Sequence, residues 1–336
     1  FIITFFVTPI LIRVIKNNAA LMHDPEYRGS HKNPIPVFGG VAIFFSILFA
    51  IIFWIDLSFY KDFQPILSAF LVVFLIGLLD DFAELSPVQK IVGQLVAIFI
   101  MIVFSDLRIT SFHGILSIHI LPYWISVLFT AFTMVVIINA YNLIDGLDGL
   151  ASSIGLLSSF IFGLLFLCTL NYPLVILSWS VSASLLAFLY YNFHPAKIFM
   201  GDTGSMIIGF LLSVFAINIV NTDVIIWGLD FEAKGSALAI AILIVPLYDS
   251  LRVFLIRVLN GGSPMRADRN HIHHGLSDLG FGHRRTTMYI CLANILIIFL
   301  VIFLQPLGVN YIILCIAISA LLLNRIPYWI KKNRKS

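Results

Sequence analysis

The chain has 336 residues, 60% of them hydrophobic and 11% charged, with a formal net charge of +3. Soluble domains are roughly half apolar and a quarter charged, so this composition excludes a string of soluble domains and implies a polytopic membrane protein. Cys168, Cys291 and Cys315 all lie inside apolar runs, which argues against both a disulfide framework and a cysteine-based zinc site.

A spanning helix needs about 20 mostly apolar residues, fewer where a segment is short or truncated. About eleven segments qualify, near residues 1–16, 37–55, 64–79, 88–104, 122–141, 150–170, 173–191, 205–221, 235–256, 286–305 and 308–330. The expected fold is an all-α polytopic membrane protein, with residues 1–336 forming a single integral-membrane domain. Phe1 is not a methionine and already lies in an apolar run, so a trimmed start without a cleavable signal peptide is expected. Residues 105–121 alternate polar and apolar around His113-Gly114, which predicts a small β-hairpin on the outer side. Pro246, Asp249 and Arg252 interrupt the ninth segment, which is expected to be broken or bent, as is tolerated beside a cavity.

Eleven spans place the termini on opposite sides. One set of loops and flanks carries seventeen of the Lys and Arg residues, and the other carries Lys61, Arg108 and Lys234. By the positive-inside rule the richer side is cytoplasmic, together with the C-terminus. Every polar constellation falls on that side.

In chain order, the first is Arg28-Gly-Ser-His31-Lys32, where surface anchoring on anionic lipids and substrate contact by Lys32 are both open. Asp80-Asp81, at the end of the third segment, repel one another unless a divalent metal or a cation sits nearby; Mg²⁺ takes such carboxylates while bridging to phosphates. A solvated helix end is the alternative, although acids there oppose the helix dipole. Asn139-Ala-Tyr-Asn142-Leu-Ile-Asp145-Gly-Leu-Asp148-Gly149 places two amides and two carboxylates between apolar runs, with glycines that let both carboxylates face one pocket. Asp202, in Phe199-Met-Gly-Asp-Thr-Gly-Ser205, precedes a helix and reads either as an N-cap or as part of an anion site. The longest inner loop holds Arg266, Arg269 and His271-Ile-His273-His274. Without cysteine or zinc-type spacing, this cluster reads as a phosphate-binding surface.

Carboxylates for a metal beside Arg and His donors are the equipment of phosphoryl transfer. No Walker A motif is present, so ATP is not the expected donor, and the position at the membrane edge points to a lipid substrate. An ion-coupled transporter is the competing class, and its residues would lie at mid-membrane in broken repeated helices. A scaffold that has lost the chemistry is disfavoured by the intact Asp80, Asp81, Asp145, Asp148 and Asp202. No nucleic-acid partner is expected.

Asp80-Asp81 with Glu84-Leu-Ser-Pro87, the Asn139–Gly149 segment, Phe199-Met-Gly-Asp202 and Arg266-Ala-Asp-Arg-Asn-His-Ile-His-His274, in this order, resemble the polyprenyl-phosphate N-acetylhexosamine-1-phosphate transferase family, glycosyltransferase family 4. The resemblance implies a multi-pass enzyme of the bacterial cytoplasmic membrane whose active site faces the cytoplasm. It implies attack of undecaprenyl phosphate on the β-phosphate of a UDP-sugar, giving the lipid diphosphate sugar and UMP, with Mg²⁺ as cofactor and Mn²⁺ as a substitute. By the same resemblance Asp80 is the base or lipid-phosphate positioner, Asp81 its partner near the metal, and Asp202 a metal ligand. Asn139, Asn142, Asp145 and Asp148 shape the nucleotide and metal pocket, and Arg266, Arg269, His271, His273 and His274 hold the diphosphate or sugar. The His-Ile-His-His form looks like the branch that loads N-acetylglucosamine 1-phosphate from UDP-GlcNAc for O-antigen, teichoic acid or other surface glycans. Glu84 departs from that branch, so another UDP-N-acetylhexosamine or UDP-MurNAc-pentapeptide remains the alternative donor. A homodimer is compatible with all of this.

Overall fold

The computed structural model describes residues 1–17, 35–226, 229–231, 234–261, 271–272, 275–276 and 280–333. The helices, in order, are α1 (Ile2–Lys16), α2 (Gly39–Trp54), α3 (Tyr60–Ala83), α4 (Pro87–Ser105), α5 (Tyr123–Leu143), α6 (Leu150–Cys168), α7 (Tyr172–Asn192), α8 (Gly201–Val220), α9 (Gly235–Ile242), α10 (Ile244–Leu259), α11 (His283–Phe303) and α12 (Val309–Asn333). The protein is an all-α polytopic membrane protein. Among the described residues, seven helices, α3 to α8 and α11, are long and apolar enough to cross a bilayer, and α9 with α10 is as apolar when taken as a pair, bent by 74° at its break. Each expected apolar segment coincides with a helix or with this bent pair.

The expected outer hairpin is reduced to one antiparallel bridge, Ser111 with Ile120. His113, Leu116 and Ser117 adopt positive φ, so the tip coils into a 3-10 turn at Ile115–Ser117 before a ladder can extend. A short two-stranded ladder forms instead between α8 and α9, where β1 (Ile225–Ile226) pairs with β2 (Leu229–Asp230). Loops at this end hold one another: Asn221 Nδ2 donates to Arg108 O (2.7 Å), Leu116 N to Asn310 Oδ1 (3.0 Å) and Lys234 Nζ to Gln305 O (2.7 Å).

Helix α8 is apolar on all sides and buried along almost its whole length, as a central helix must be. It packs against α2, α3, α5, α6 and α9. Its first turns are approached closely because small residues meet there. A Cβ on Gly40 would stand 2.2 Å from Gly204 N, and one on Gly77 would stand 2.6 Å from the Thr203 Cα. Such contacts replace the hydrophobic drive that is missing between helices in lipid. They bring the last turn of α3 against the first turn of α8, which is where the polar residues gather.

Gly40→Val is expected to destabilise detergent-purified protein by about 1–3 kcal/mol through overpacking. Leu71→Ala, on the exposed side of α3, should melt near wild type. A Gly40→Val protein as heat-stable as wild type would contradict this packing.

Candidate active site

The end of α3 is shaped by its own sequence. Glu84 takes a left-handed conformation with φ of 45° and stops the helix. Ser86 and Gln89 then form a capping box, with Pro87 at the first position of α4. Leu85 N donates to Asp80 Oδ1 at 2.7 Å, so Asp80 secures the turn between the helices. One turn into α4, Lys90 reaches back to form an ion pair with Asp80 Oδ2, and its Nζ lies 3.3 Å from Asp202 Oδ2.

Asp81 has a different role from its neighbour. Its carboxylate accepts from Asp202 N at 2.7 Å, from Thr203 N at 3.0 Å and from the Thr203 hydroxyl. It therefore caps α8 from another helix. The aspartate that opposes the dipole at the end of α3 faces the favourable end of α8. Gly201 makes this approach possible, with φ of +74°; a Cβ there would lie 2.4 Å from Val37 O and 2.7 Å from Asp81 Oδ2. Asp81 was expected near the metal, and its two oxygens meet the first turn of α8, the turn that carries Asp202.

From α5, Asn142 Nδ2 donates to Asp202 Oδ1 at 2.5 Å and to Ser205 Oγ at 2.8 Å. Asp80, Asp202, Lys90 and Asn142 thus form one cluster, with Asp81 beneath it. Asn139, expected to touch substrate, is used elsewhere: its Nδ2 donates to Gln94 Oε1 (2.8 Å) and Val135 O (2.7 Å), tying α5 to α4.

A second cluster surrounds Asp148, which is 3% exposed. Its Oδ2 lies 2.7 Å from His194 Nδ1 and accepts from Ala196 N at 3.1 Å, while His283 Nδ1 lies 3.5 Å from Oδ1. Arg284 donates two hydrogen bonds to His194 O. Among the described residues, Asp148, His194 and His283 form a group whose ligand atoms all lie within 4.8 Å of one another. Two imidazoles and one carboxylate suit a borderline ion such as Zn²⁺ better than Mg²⁺, which prefers oxygen. Asp145 sits half-buried in the turn leading to Asp148, its amide bonded to Asn142 O at 3.2 Å.

His271 is buried against Asp249 of α10, with Nδ1 to Oδ2 at 2.8 Å. Lys32, Arg266, Arg269, His273 and His274 lie outside the described residues. Lys90, His194 and His283 were not singled out from the sequence. Lys90 carried one available signal, being the first cation after the Asp80-Asp81 pair and one turn inside the next helix.

Comparison with known proteins decides the family. The model for glycosyl transferase family 4 matches residues 63–220. A Bacillus subtilis protein, the probable undecaprenyl-phosphate N-acetylglucosaminyl 1-phosphate transferase, is 33% identical over 287 residues, covering 85% of this chain and 77% of its own. The chain belongs to the polyprenyl-phosphate N-acetylhexosamine-1-phosphate transferase family. The decaprenyl-phosphate N-acetylglucosaminephosphotransferase of Mycobacterium leprae is 32% identical over 319 residues, 87% of this chain and 78% of its own. The undecaprenyl-phosphate alpha-N-acetylglucosaminyl 1-phosphate transferase of Escherichia coli K12 is 28% identical over 301 residues, 85% and 77% of the two chains. The stretch matched by the family model contains the carboxylates of both clusters and ends before His271 and His283.

Asp81→Ala would leave three donors at the start of α8 without their acceptor, each unsatisfied buried group costing about 1–3 kcal/mol. Its unfolding midpoint should fall below that of Asp202→Ala, whose side chain is 27% exposed. Equal midpoints would contradict the capping role.

Proposed function

We propose that this member of the family transfers N-acetylglucosamine 1-phosphate from UDP-GlcNAc to undecaprenyl phosphate, with Mg²⁺, at the cytoplasmic face of the bacterial cytoplasmic membrane. The observation that carries the reading is the convergence of Asp80, Asp202, Lys90 and Asn142 at one end of the bundle. The names of the relatives support the donor sugar and the lipid acceptor. The excess of Lys and Arg at that end supports the orientation, with the C-terminus on the same side.

The donor set fits a hard divalent ion. Asp80 and Asp202 offer carboxylate oxygens whose mutual repulsion is offset here by Lys90. These two residues would hold Mg²⁺, with Asp81 acting behind them as the cap that fixes Asp202. When bound, the ion supplies neutralisation of the diphosphate charge. In the reaction an oxygen of the lipid phosphate bonds to the β-phosphorus of the donor, and the bond from that phosphorus to the bridging oxygen breaks. UMP leaves with the electron pair. Lys90 supplies a fixed positive charge beside the reacting phosphates, and Asn142 holds the Asp202 carboxylate in orientation. Lipid phosphate is already largely ionised near neutral pH, so Asp80 serves in positioning more than in proton removal. A transporter is disfavoured because the clustered carboxylates sit at helix ends rather than at mid-membrane.

Purified protein with undecaprenyl phosphate and Mg²⁺ should release UMP from UDP-GlcNAc, and not from UDP-GalNAc or UDP-MurNAc-pentapeptide. Asp202→Ala and Lys90→Ala should each lower the rate by about 10²-fold or more. Chelation by EDTA should stop release, and added Mg²⁺ should restore it. UMP from none of the donors with folded protein, or full activity in EDTA, would overturn the proposal.

A further inference from the structure

Asp249 lies in the bent span, where ionisable residues are costly and tend to carry a role. The break at Leu243 turns α10 by 74° from α9. Along α10, Leu251, Phe254, Leu255, Val258 and Leu259 are exposed, while Asp249 and Val253 face inward. Asp249 is 2% exposed and His271 6%. The carboxylate holds the inner loop at two points: Oδ2 lies 2.8 Å from His271 Nδ1, and Oδ1 accepts from Ile272 N at 2.9 Å. An ionised carboxylate can only accept, so the Nδ1–H donates, and the orientation of the ring is set.

A second observation says where the loop is held. Ile272 lines a small cavity of about 50 Å³ together with Ile144, Leu150, Asp249, Tyr289 and Asn294. Ile144 and Leu150 bracket the turn that carries Asp145 and Asp148. The same carboxylate that orients His271 therefore seats Ile272 against the base of the Asp145–Asp148 turn.

We propose that Asp249 is a positioning residue: through its bonds to His271 and to the Ile272 amide it holds these two residues beside the Asp145–Asp148 turn, so that the His271 ring is oriented for the nucleotide-sugar donor. This rests on the transferase reading above. Residues that orient a functional group from behind typically cost 10–100-fold when replaced, as the partners of metal-bound histidines do.

The test uses the full chain in detergent with undecaprenyl phosphate and Mg²⁺, following UMP release while UDP-GlcNAc and the lipid are varied separately. Asp249→Asn keeps shape but loses the charge. It should lower kcat/KM for UDP-GlcNAc by about 10–100-fold, with the KM for the lipid phosphate unchanged. Asp249→Glu should recover part of the loss, because it retains the carboxylate but displaces it by one methylene. Adding Asp249→Asn to His271→Gln should cost nothing further, since both act on one contact. Wild-type kcat/KM in folded Asp249→Asn, equal damage to both substrates, or losses that multiply in the double variant would overturn the inference. If Asp249→Asn does not fold, wild-type kcat/KM in Asp249→Glu would do the same. Wild-type protein that releases no UMP would instead defeat the transferase reading beneath it.

Discussion

The polar end of the bundle depends on one carboxylate at the join of two helices. Asp81 ends α3 and at the same time caps α8, 121 positions further along the chain. Two adjacent aspartates at a helix C-terminus are electrostatically unfavourable, and the fold removes the cost differently for each. Asp81 finds backbone amides at the positive end of α8, and Asp80 finds the ammonium of Lys90. The cap also fixes where Asp202 stands, because Asp202 supplies one of the capped amides. Glycine at 201 is the steric condition for this join, since any side chain there would meet Asp81 itself. Packing of small residues from α2 and α3 against α8 holds the two helices close enough for it to form.

Around that join, polar groups divide into an oxygen-rich cluster and a nitrogen-rich one. Asp80 and Asp202 present oxygens beside Lys90 and the donating amide of Asn142, which suits a hard cation and phosphate. Asp148, by contrast, is enclosed by His194, His283 and the Ala196 amide, and its carboxylate is held in a fixed direction. The Asn142–Asp148 turn links the two. Asp249 adds a third anchor from the membrane side, through the bent pair α9 and α10.

Much of this was legible in the sequence because membrane helices must satisfy their backbone internally and be apolar over their length. The long runs marked the helices, and the charged residues marked the end at which the site lies. What local pattern could not show is how adjacent or regularly spaced residues separate in function. Asp80 and Asp81 look alike in sequence and are distinguished only by a contact with α8. Asn139 and Asn142 are three residues apart on α5, about 60° around its axis, enough for one to face Gln94 of α4 and the other Asp202 of α8. His194 lies in the loop after α7 and His283 opens α11, each without a neighbouring motif, and only the fold makes them a pair. The bend near 243 was anticipated from Pro246, yet Pro246 lies in the first turn of α10, where its missing N–H costs little. The outer hairpin is short for the opposite reason, since positive φ values at its tip interrupt a pattern that alternates correctly.

The central claim is that the join made by Asp81 sets Asp202 and Asp80 together as the seat of the divalent ion. Crystals of the protein soaked in MnCl₂ and measured for anomalous scattering would test it most directly. The account predicts a manganese peak at bonding distance from the Asp202 carboxylate and adjoining Asp80. A peak at Asp148, His194 and His283 with none at Asp202 would contradict it and move the chemistry to the other cluster.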